Sequence, residues 1–323
     1  MSSVLLLIAG LAGLLIGAEL LVRGGSNLAS RLGVTPIVIG LTVVSIGTSM
    51  PELAVGIDAA RQGSPGLAVG NIVGTNLVNL LLILGISALI RPIPLDSRIL
   101  RFDLPAMAAA SLLVFIMARD GFLDRVEGVV LFLASVGYTL VILRTSRKES
   151  AQLRAEFSTK YAVPEPADKA SRLVLDLIFL VGGIVVIVVG ADLLVGGAAG
   201  AARSLGVSDA IVGLTIVAIG TSAPELVTTL LSTLRGDRDI ALGNLLGSSV
   251  YNLALILGLT VLFAPTVVEV PAEVLEGDLV LMAAGAIACV PVFLSGRRIN
   301  RIEGGLFVAA YCAYLAWLIV VRA

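Results

Sequence analysis

The sequence predicts an all-α polytopic membrane protein, with ten transmembrane helices arranged as two inverted five-helix repeats. Three observations predict it: composition, long apolar runs and an internal repeat. The 323-residue chain is 58% hydrophobic and 14% charged, with a mean hydropathy of +1.05. Soluble domains carry about 25% charged residues. Only helices and closed barrels satisfy their backbone in lipid, and the apolar runs here are continuous rather than alternating, which indicates helices.

Ten apolar runs define ten predicted spans, five in each half of the chain. They cover residues 4–22, 34–60, 66–90, 100–118, 123–143, 173–195, 207–234, 240–263, 275–295 and 302–321. A polar stretch at 146–171 predicts a cytoplasmic linker between a first repeat at 1–145 and a second repeat at 172–323. No positive region precedes the first run, and its end, Gly17–Val22, returns at Gly190–Val195. We therefore expect that run to be retained as a span rather than removed as a signal peptide.

The repeat itself is extensive. Gly17 to Gly85 aligns without a gap with Gly190 to Gly258, and 32 of the 69 pairs are identical. A shorter echo follows, with DRVEG at 124–128 and NRIEG at 300–304. Because each half holds an odd number of spans, the second half must enter the membrane upside down relative to the first. Inverted halves of this kind are typical of secondary transporters, whose site lies near the midplane where the halves meet.

Basic residues predict the orientation. We expect a multi-pass protein of the cell (inner) membrane with the N-terminus and the C-terminus on the outer side. This orientation leaves 17 of the 22 lysines and arginines on the cytoplasmic side. Acidic residues near the predicted span ends, among them Asp103, Asp176 and Asp278, are expected to lie at the membrane interface.

The strongest chemical signal is a cassette that occurs twice, 173 residues apart. It reads GLTVVSIGTSMPEL at 40–53 and GLTIVAIGTSAPEL at 213–226. Each copy places a glutamate, Glu52 or Glu225, inside an apolar span, where an ionisable group costs about 3 kcal/mol or more unless it faces a partner or a cavity. Pro51 and Pro224 are expected to break their helices. Carboxylates, hydroxyls and freed carbonyls together form a hard-oxygen site that suits Na⁺ and Ca²⁺.

A second motif follows each cassette, GNIVGTNLVNL at 70–80 and GNLLGSSVYNL at 243–253. Its glycines form small-xxx-small pairs that allow close helix packing. Spacing of i and i+4 places Thr48 with Glu52 on one helix face, and Asn79 with Thr75 on another. The predicted core is therefore spans two, three, seven and eight, with neutral oxygens opposite two acids. Two simpler interpretations stay open: the asparagines could only hydrogen-bond between helices, and Thr75 and Ser248 could only pack.

These motifs resemble the alpha-repeats of the cation/Ca²⁺ exchanger superfamily, and among its branches most resemble prokaryotic Na⁺/Ca²⁺ exchangers. The resemblance rests on GTSMPE, GTSAPE, GNIVGTNLVN and GNLLGSSVYN, within repeats at about 34–90 and 207–263. It implies a five-plus-five inverted fold and exchange of Na⁺ for Ca²⁺ by alternating access. The ligands it implies are the carbonyls of Ser45 and Ala218 with the side chains of Thr48, Ser49, Glu52, Thr75, Asn79, Thr221, Ser222, Glu225, Ser248 and Asn252.

One position departs from some prokaryotic relatives, which carry aspartate where this chain has Asn252. The pocket then holds two formal negative charges, enough to balance one Ca²⁺ or two Na⁺.

The same residues leave other functions open. An antiporter of Ca²⁺ or another divalent cation driven by H⁺ is the main alternative, because the glutamates could also carry protons. A passive cation channel fits less well, since the polar groups gather at one depth instead of lining a continuous pore. The chain contains no nucleophile and base arrangement, phosphate loop or cofactor fingerprint, so we expect neither an enzyme nor a cofactor. The chain has no basic tract that would predict binding of nucleic acid. The expected partners are the transported ions and the lipid bilayer, and no protein partner is implied.

Overall fold

The protein is described from a computed structural model that covers residues 3–32, 36–62, 65–95, 99–146, 169–204 and 218–322. Most of the predicted linker at 146–171 lies outside these described residues, as does the first part of the predicted span at 207–234.

The described chain is almost entirely helical. Its α-helices are α1 Ser3–Leu32, α2 Pro36–Ile39, α3 Ser45–Thr48, α4 Met50–Arg61, α5 Pro65–Leu77, α6 Leu84–Ile90, α7 Leu104–Met117, α8 Arg125–Ser146, α9 Lys169–Ser204, α10 Ala218–Thr221, α11 Ala223–Arg235, α12 Arg238–Tyr251, α13 Leu257–Phe263, α14 Leu279–Gly296 and α15 Arg301–Arg322. Five π-helical segments join or begin helices, at Gly40–Val44, Val78–Ile83, Ile99–Asp103, Asn252–Ile256 and Val274–Asp278, and one 3₁₀ turn covers Ala118–Asp120. The strands are β1 Ile93–Pro94, β2 Phe122–Leu123, β3 Val268–Glu269 and β4 Arg298–Ile299.

Eight helical segments of the described chain are long and apolar enough to cross a membrane. They are Ser3–Arg31, Ile37–Arg61, Gly66–Ile90, Ile99–Asp120, Arg125–Thr145, Leu173–Ala198, Arg238–Phe263 and Val274–Phe293. Each matches one of the predicted spans. Of the two others, the span at 302–321 forms α15, and the described part of the span at 207–234 forms α10 and α11. A total of ten spans stays a prediction.

Helices α1 and α9 pack against each other in antiparallel fashion along most of their length. Glycines recur every seven residues on the facing sides, at Gly10, Gly17 and Gly24 of α1 and at Gly183, Gly190 and Gly197 of α9. A Cβ atom at Gly183 would lie 2.6 Å from the backbone nitrogen of Leu21, so the two backbones are in direct contact. Small residues are the usual means of such close packing in lipid.

Polar contacts tie one end of this helix pair together. Asp176 near the start of α9 forms an ion pair with Arg31 of α1 and accepts a 3.1 Å hydrogen bond from Asn27 of the same helix. A separate ion pair, between Glu19 and Arg235, joins α1 to the last residue of α11. The Asp176 side chain is 4% exposed, so it is buried against these partners, and its position at the membrane interface stays a prediction.

Two further acids that are expected at the membrane interface are buried within the protein. Asp103 and Asp278 are 1% and 5% exposed, and each ends a π-helical segment at the start of a long helix. Tyr138 donates a 3.2 Å hydrogen bond to Asp103, and Tyr314 donates a 3.0 Å hydrogen bond to Asp278. Each half therefore fixes its fourth predicted span to its fifth through the same carboxylate and phenol pair.

The DRVEG and NRIEG echo has a local structural role. The Asp124 side chain accepts the backbone N–H of Glu127, and the Glu127 side chain accepts the N–H of Asp124, both at 2.9 Å. Asn300 and Glu303 repeat this exchange at 3.0 and 2.8 Å. These are capping boxes, which satisfy the first N–H groups of α8 and α15.

Two short antiparallel ribbons join the halves. Strand β1 of the first half pairs with β4 of the second, and β2 of the first half pairs with β3 of the second. The four strands lie in turns between long helices, so the ribbons hold turns of one half against turns of the other.

Candidate functional site

The two cassettes share a helix break at equivalent serines. Ser49 separates α3 from α4 with φ −84° and ψ 7°, and Ser222 separates α10 from α11 with φ −83° and ψ 6°. Each proline occupies an early position in the helix that follows, where it removes no helical hydrogen bond. Glu52 and Glu225 lie in the first turn of these helices, where the helix dipole favours negative charge.

The break also bears on one prediction from spacing. It falls between Thr48 and Glu52, so these residues belong to separate helical segments. Their stacking on one face, expected from a continuous helix, stays a prediction.

The first cassette is pressed against α12 of the second half. A Cβ atom at Gly243 would lie 2.8 Å from the carbonyl oxygen of Ile37, so glycine is required for this approach. The Ser45 hydroxyl lies 2.6 Å from the carbonyl oxygen of Gly40, and 3.2 and 3.0 Å from the carbonyl oxygens of Gly243 and Asn244. These contacts fix the segment before the Ser49 break against the other half of the protein.

Side chains from the two halves meet at the breaks. The Ser49 hydroxyl donates a 3.2 Å hydrogen bond to Oε1 of Glu225, and the Ser222 hydroxyl lies 3.5 Å from the Thr75 hydroxyl. Glu52 and Glu225 are both fully buried, and the hydrogen bond from Ser49 places Glu225 beside the helix break that precedes Glu52. The structure thus brings the two predicted acids into one interior region.

Many polar atoms of this region have no hydrogen-bond partner among the described residues. They are both carboxylate oxygens of Glu52, Oε2 of Glu225, the amide oxygens and nitrogens of Asn79 and Asn252, and the Ser248 hydroxyl. All five side chains are fully buried. Unsatisfied buried polar groups cost about 1–3 kcal/mol each and more when charged, so such a concentration calls for a ligand. The oxygens would suit a hard cation.

The alternative in which Asn79 and Asn252 serve only as interhelical hydrogen-bonding residues is not supported. Neither side chain makes a hydrogen bond with any part of the chain that the structure describes. A structural asparagine in lipid would have such a partner.

The remaining predicted ligands lie beside this cluster. The Ser45 carbonyl accepts the backbone N–H of Ser49 at 3.1 Å, and the Thr48 hydroxyl lies 3.3 Å away from the same oxygen. Ala218 and Thr221 are the first and last residues of α10, immediately before the second break, and Thr221 is half-buried. Within the described ranges no third acidic, histidine or cysteine side chain joins the two glutamates as a metal-binding group.

Asn244 is part of this arrangement and was not among the predicted site residues. Its amide oxygen accepts a 3.2 Å hydrogen bond from Thr48, and its amide nitrogen donates a 3.1 Å hydrogen bond to the Thr229 hydroxyl. It therefore links the first cassette to α11 of the second half. The signal in the sequence was the identity of Asn71 and Asn244 at equivalent positions of the two motifs.

Comparison with known proteins decides the family. A family model described as sodium/calcium exchanger protein matches residues 2–144 and 175–320. The chain belongs to the sodium/calcium exchanger family. Its members include membrane exchangers of sodium and calcium, and the predicted resemblance is confirmed.

Individual relatives match along nearly the whole chain. Sodium/calcium exchanger MaX1 of Methanosarcina acetivorans is 33% identical over 97% of this chain and 97% of its own length. Inner membrane protein YrbG of Escherichia coli is 34% identical over 97% of this chain and 94% of its own. The solved structure of the sodium/calcium exchanger from Methanococcus jannaschii superimposes with a TM-score of 0.83 at 29% identity, covering 97% of each chain.

Proposed function

We propose that this exchanger is an antiporter that binds Na⁺ and Ca²⁺ alternately between Glu52 and Glu225, near the middle of the bilayer. The observation that carries the proposal is the set of fully buried polar atoms without protein partners on Glu52, Glu225, Asn79, Ser248 and Asn252. The segment that begins at Asn252 packs against the helix of Glu52, and the segment that contains Asn79 packs against the helix of Glu225. Two carboxylates balance the charge of one Ca²⁺ or two Na⁺, and neutral oxygens complete the coordination shell. The names of the relatives support this choice of ions.

The proposed ligands come in equivalent sets from the two halves. They are the carbonyls of Ser45 and Ala218 and the side chains of Thr48, Ser49, Glu52, Thr75, Asn79, Thr221, Ser222, Glu225, Ser248 and Asn252. Asn244 is proposed as a positioning residue, because its hydrogen bonds orient Thr48 rather than point at the acids.

The proposed mechanism is alternating access with charge neutralisation. Closing the cavity around uncompensated carboxylates is costly, because a buried charge loses its hydration without gaining a partner. A cavity loaded with Ca²⁺ or with Na⁺ avoids this cost, whereas an empty cavity does not. Since the two kinds of ion use the same carboxylates, binding of one displaces the other, which produces exchange rather than leak.

The proposed topology is two inverted five-helix units, 1–145 and 172–323, with both termini outside and the segment 146–171 in the cytoplasm. Its support is the gathering of arginines at one end of the protein. Arg91 and Arg238 line one cavity. The Arg301 guanidinium donates a 3.4 Å hydrogen bond to the carbonyl oxygen of Ile90, the residue before Arg91. The carbonyl oxygen of Arg297 accepts a 2.8 Å hydrogen bond from the backbone N–H of Leu95, in the turn that follows Arg91. Positive residues collect on the cytoplasmic side, and the relative described as an inner membrane protein fits the same location.

The direct test is Na⁺-gradient-driven uptake of ⁴⁵Ca²⁺ into proteoliposomes, with proton and potassium gradients set independently. We expect uptake that requires Na⁺ inside the vesicles and stops when choline replaces it. Uptake that continues in choline and follows a proton gradient would identify the H⁺-coupled alternative. Uptake that needs no counter-ion, and stops only when the Ca²⁺ gradient is spent, would identify a channel.

A further inference from the structure

Helix α11 carries hydroxyl residues that continue away from Glu225 toward Arg235. They are Thr228, Thr229, Ser232 and Thr233, and all are 5% exposed or less. Their spacing of three, four, seven and eight residues from Glu225 places them on the same helix face as this acid. We call these four residues the hydroxyl stripe.

Two members of the stripe have hydrogen bonds and two do not. The Thr229 hydroxyl accepts a hydrogen bond from the Asn244 amide, and the Thr233 hydroxyl donates a 2.8 Å hydrogen bond to the backbone carbonyl of Thr229. The hydroxyls of Thr228 and Ser232 are fully buried and make no hydrogen bond with described residues. Helices in lipid normally bond such hydroxyls to a neighbour or to their own backbone, so these two oxygens are available to a ligand.

A third such hydroxyl lies on a helix that packs against the stripe. Helix α6 contacts α11, and its Ser87 is fully buried without a hydrogen bond in the described structure. The internal repeat supports the proximity of Ser87 to α11. At the 173-residue offset Ser87 is equivalent to Thr260, and Thr229 of α11 is equivalent to Gly56. In that equivalent pair, a Cβ atom at Gly56 would lie 2.7 Å from the Thr260 hydroxyl.

The stripe ends at a surface cavity. Thr233 lines a cavity of about 390 Å³ together with Arg91, Gly236 and Arg238. Buried oxygens therefore run from the proposed ion site at Glu225 to this cavity.

The first half has no counterpart of the stripe. The equivalent positions on α4 are Val55, Gly56, Ala59 and Ala60, none of which carries a hydroxyl. The repeat keeps the acid, the break and the proline in both halves but places the hydroxyls in one. The stripe is therefore not required by the fold of this helix.

We propose that Thr228 and Ser232, with Ser87, form a neutral-oxygen transit site for Na⁺ between Glu225 and the Arg235 end of α11. The identity of the cation rests on the proposed function. Neutral hydroxyls suit a monovalent cation, whereas Ca²⁺ sites normally include carboxylates. Arg91 and Arg238 at the cavity repel a divalent cation about twice as strongly as a monovalent one. Asp237 and Asp239, on the same turn as Arg238, offset part of this repulsion.

Substitutions that copy the first half test the transit site. In Thr228→Val with Ser232→Ala, the Na⁺ concentration for half-maximal exchange, applied from the Arg235 side, should rise at least about threefold. The Ca²⁺ concentration for half-maximal exchange from the opposite side should not change. Ser111→Ala is the matched control, because the Ser111 hydroxyl is bonded to the Met107 carbonyl at 3.0 Å. Unchanged Na⁺ dependence in a folded double variant would refute the proposal.

A labelling experiment separates this inference from the proposed function, since it needs no flux. Ser232→Cys in a Cys289→Ala, Cys312→Ser background is treated in oriented vesicles with a membrane-impermeant cationic methanethiosulfonate. We expect labelling from the Arg235 side that Na⁺ slows, and none at the equivalent Ala59→Cys from that side. Absent labelling, or labelling that Na⁺ does not affect, overturns the transit site even if exchange is observed. Na⁺-sensitive labelling without Na⁺-driven Ca²⁺ uptake would preserve the transit site and reject the exchange reaction.

Discussion

The hydroxyl of Ser49, in the first half of the chain, donates a 3.2 Å hydrogen bond to the carboxylate of Glu225 in the second half. The equivalent serine of the second half, Ser222, has its hydroxyl 3.5 Å from the hydroxyl of Thr75 in the first half. Each helix break therefore supplies a hydroxyl to a polar residue of the other half. The proposed ligands are divided between the halves, so the proposed cation site requires both halves to fold together.

The two glutamates should be the least replaceable residues of the protein. We expect Glu52→Gln and Glu225→Gln each to lower Na⁺-dependent ⁴⁵Ca²⁺ uptake at least about tenfold, a loss of about 1.4 kcal/mol or more, because an amide cannot balance the charge of Ca²⁺. Asp58→Asn is the matched control on the same helix. Asp58 is exposed and accepts a hydrogen bond from Gln62, so its uptake should match that of the unmodified protein. Equal uptake in all three variants would remove the acids from the mechanism.

Loss of the Ser49 hydroxyl should have a smaller and selective effect. Hydrogen bonds to charged groups contribute about 1.5–3 kcal/mol, so Ser49→Ala should raise the Ca²⁺ concentration for half-maximal uptake about tenfold. Ser222→Ala should change it less, because a 3.5 Å hydroxyl contact lies at the long limit of hydrogen bonding. Titrations of uptake against Ca²⁺ measure both, and a larger effect in Ser222→Ala would contradict the geometry.

The asparagines should divide into two classes. Asn79→Ala and Asn252→Ala should weaken Ca²⁺ binding while leaving the melting temperature of the ion-free protein nearly unchanged, because these side chains bond to no described residue. Asn244→Ala should lower that melting temperature, since it leaves Thr48 and Thr229 without their amide partner at a cost of about 1–3 kcal/mol. Thermal unfolding in detergent, with and without Ca²⁺, distinguishes them. The opposite pattern would make Asn79 and Asn252 structural.

The contact between α1 and α9 can be tested with adjacent glycines. Gly183→Ala places a methyl group against the α1 backbone and should destabilise the protein by about 1–3 kcal/mol. Gly182→Ala adds the same group where no described atom lies within 4 Å, so it should be tolerated. Melting temperatures of the two purified variants provide the comparison. Equal losses would contradict the packing explanation, because alanine has the higher helix propensity at both positions.

The sequence was sufficient to predict the membrane class and the two acids within apolar spans, because both depend on local properties. A glutamate in an apolar run is visible without coordinates, and duplication of the cassette indicates that the two copies act together. Eight predicted spans coincide with helices of membrane-crossing length. The helix breaks followed from Pro51 and Pro224, but their position at the serines did not, since proline occupies the start of the new helix.

The features that sequence reasoning missed depend on partners distant in the chain. Asn244 bonds to Thr48, 196 residues away, and no spacing rule connects them. The burial of Asp103 and Asp278 was also not predicted, although both were expected near the ends of spans. A tyrosine about 35 residues later in the chain donates a hydrogen bond to each of them. A buried carboxylate with a hydrogen-bond partner is tolerated where an unpaired one would not be.

The two ribbons have a consequence for how the halves are held together. Strand β1 corresponds to β3 at an offset of 175 residues, and β2 corresponds to β4 at an offset of 176, close to the 173 residues that separate the two cassettes. Exchanging the halves therefore turns the pair of β1 with β4 into the pair of β3 with β2. Two separate half-length chains would therefore present each other with the same pair of strands, as subunits of a twofold dimer do. A protein severed between residues 147 and 168 should consequently co-purify as a non-covalent pair, with the covalent connection dispensable for mutual recognition.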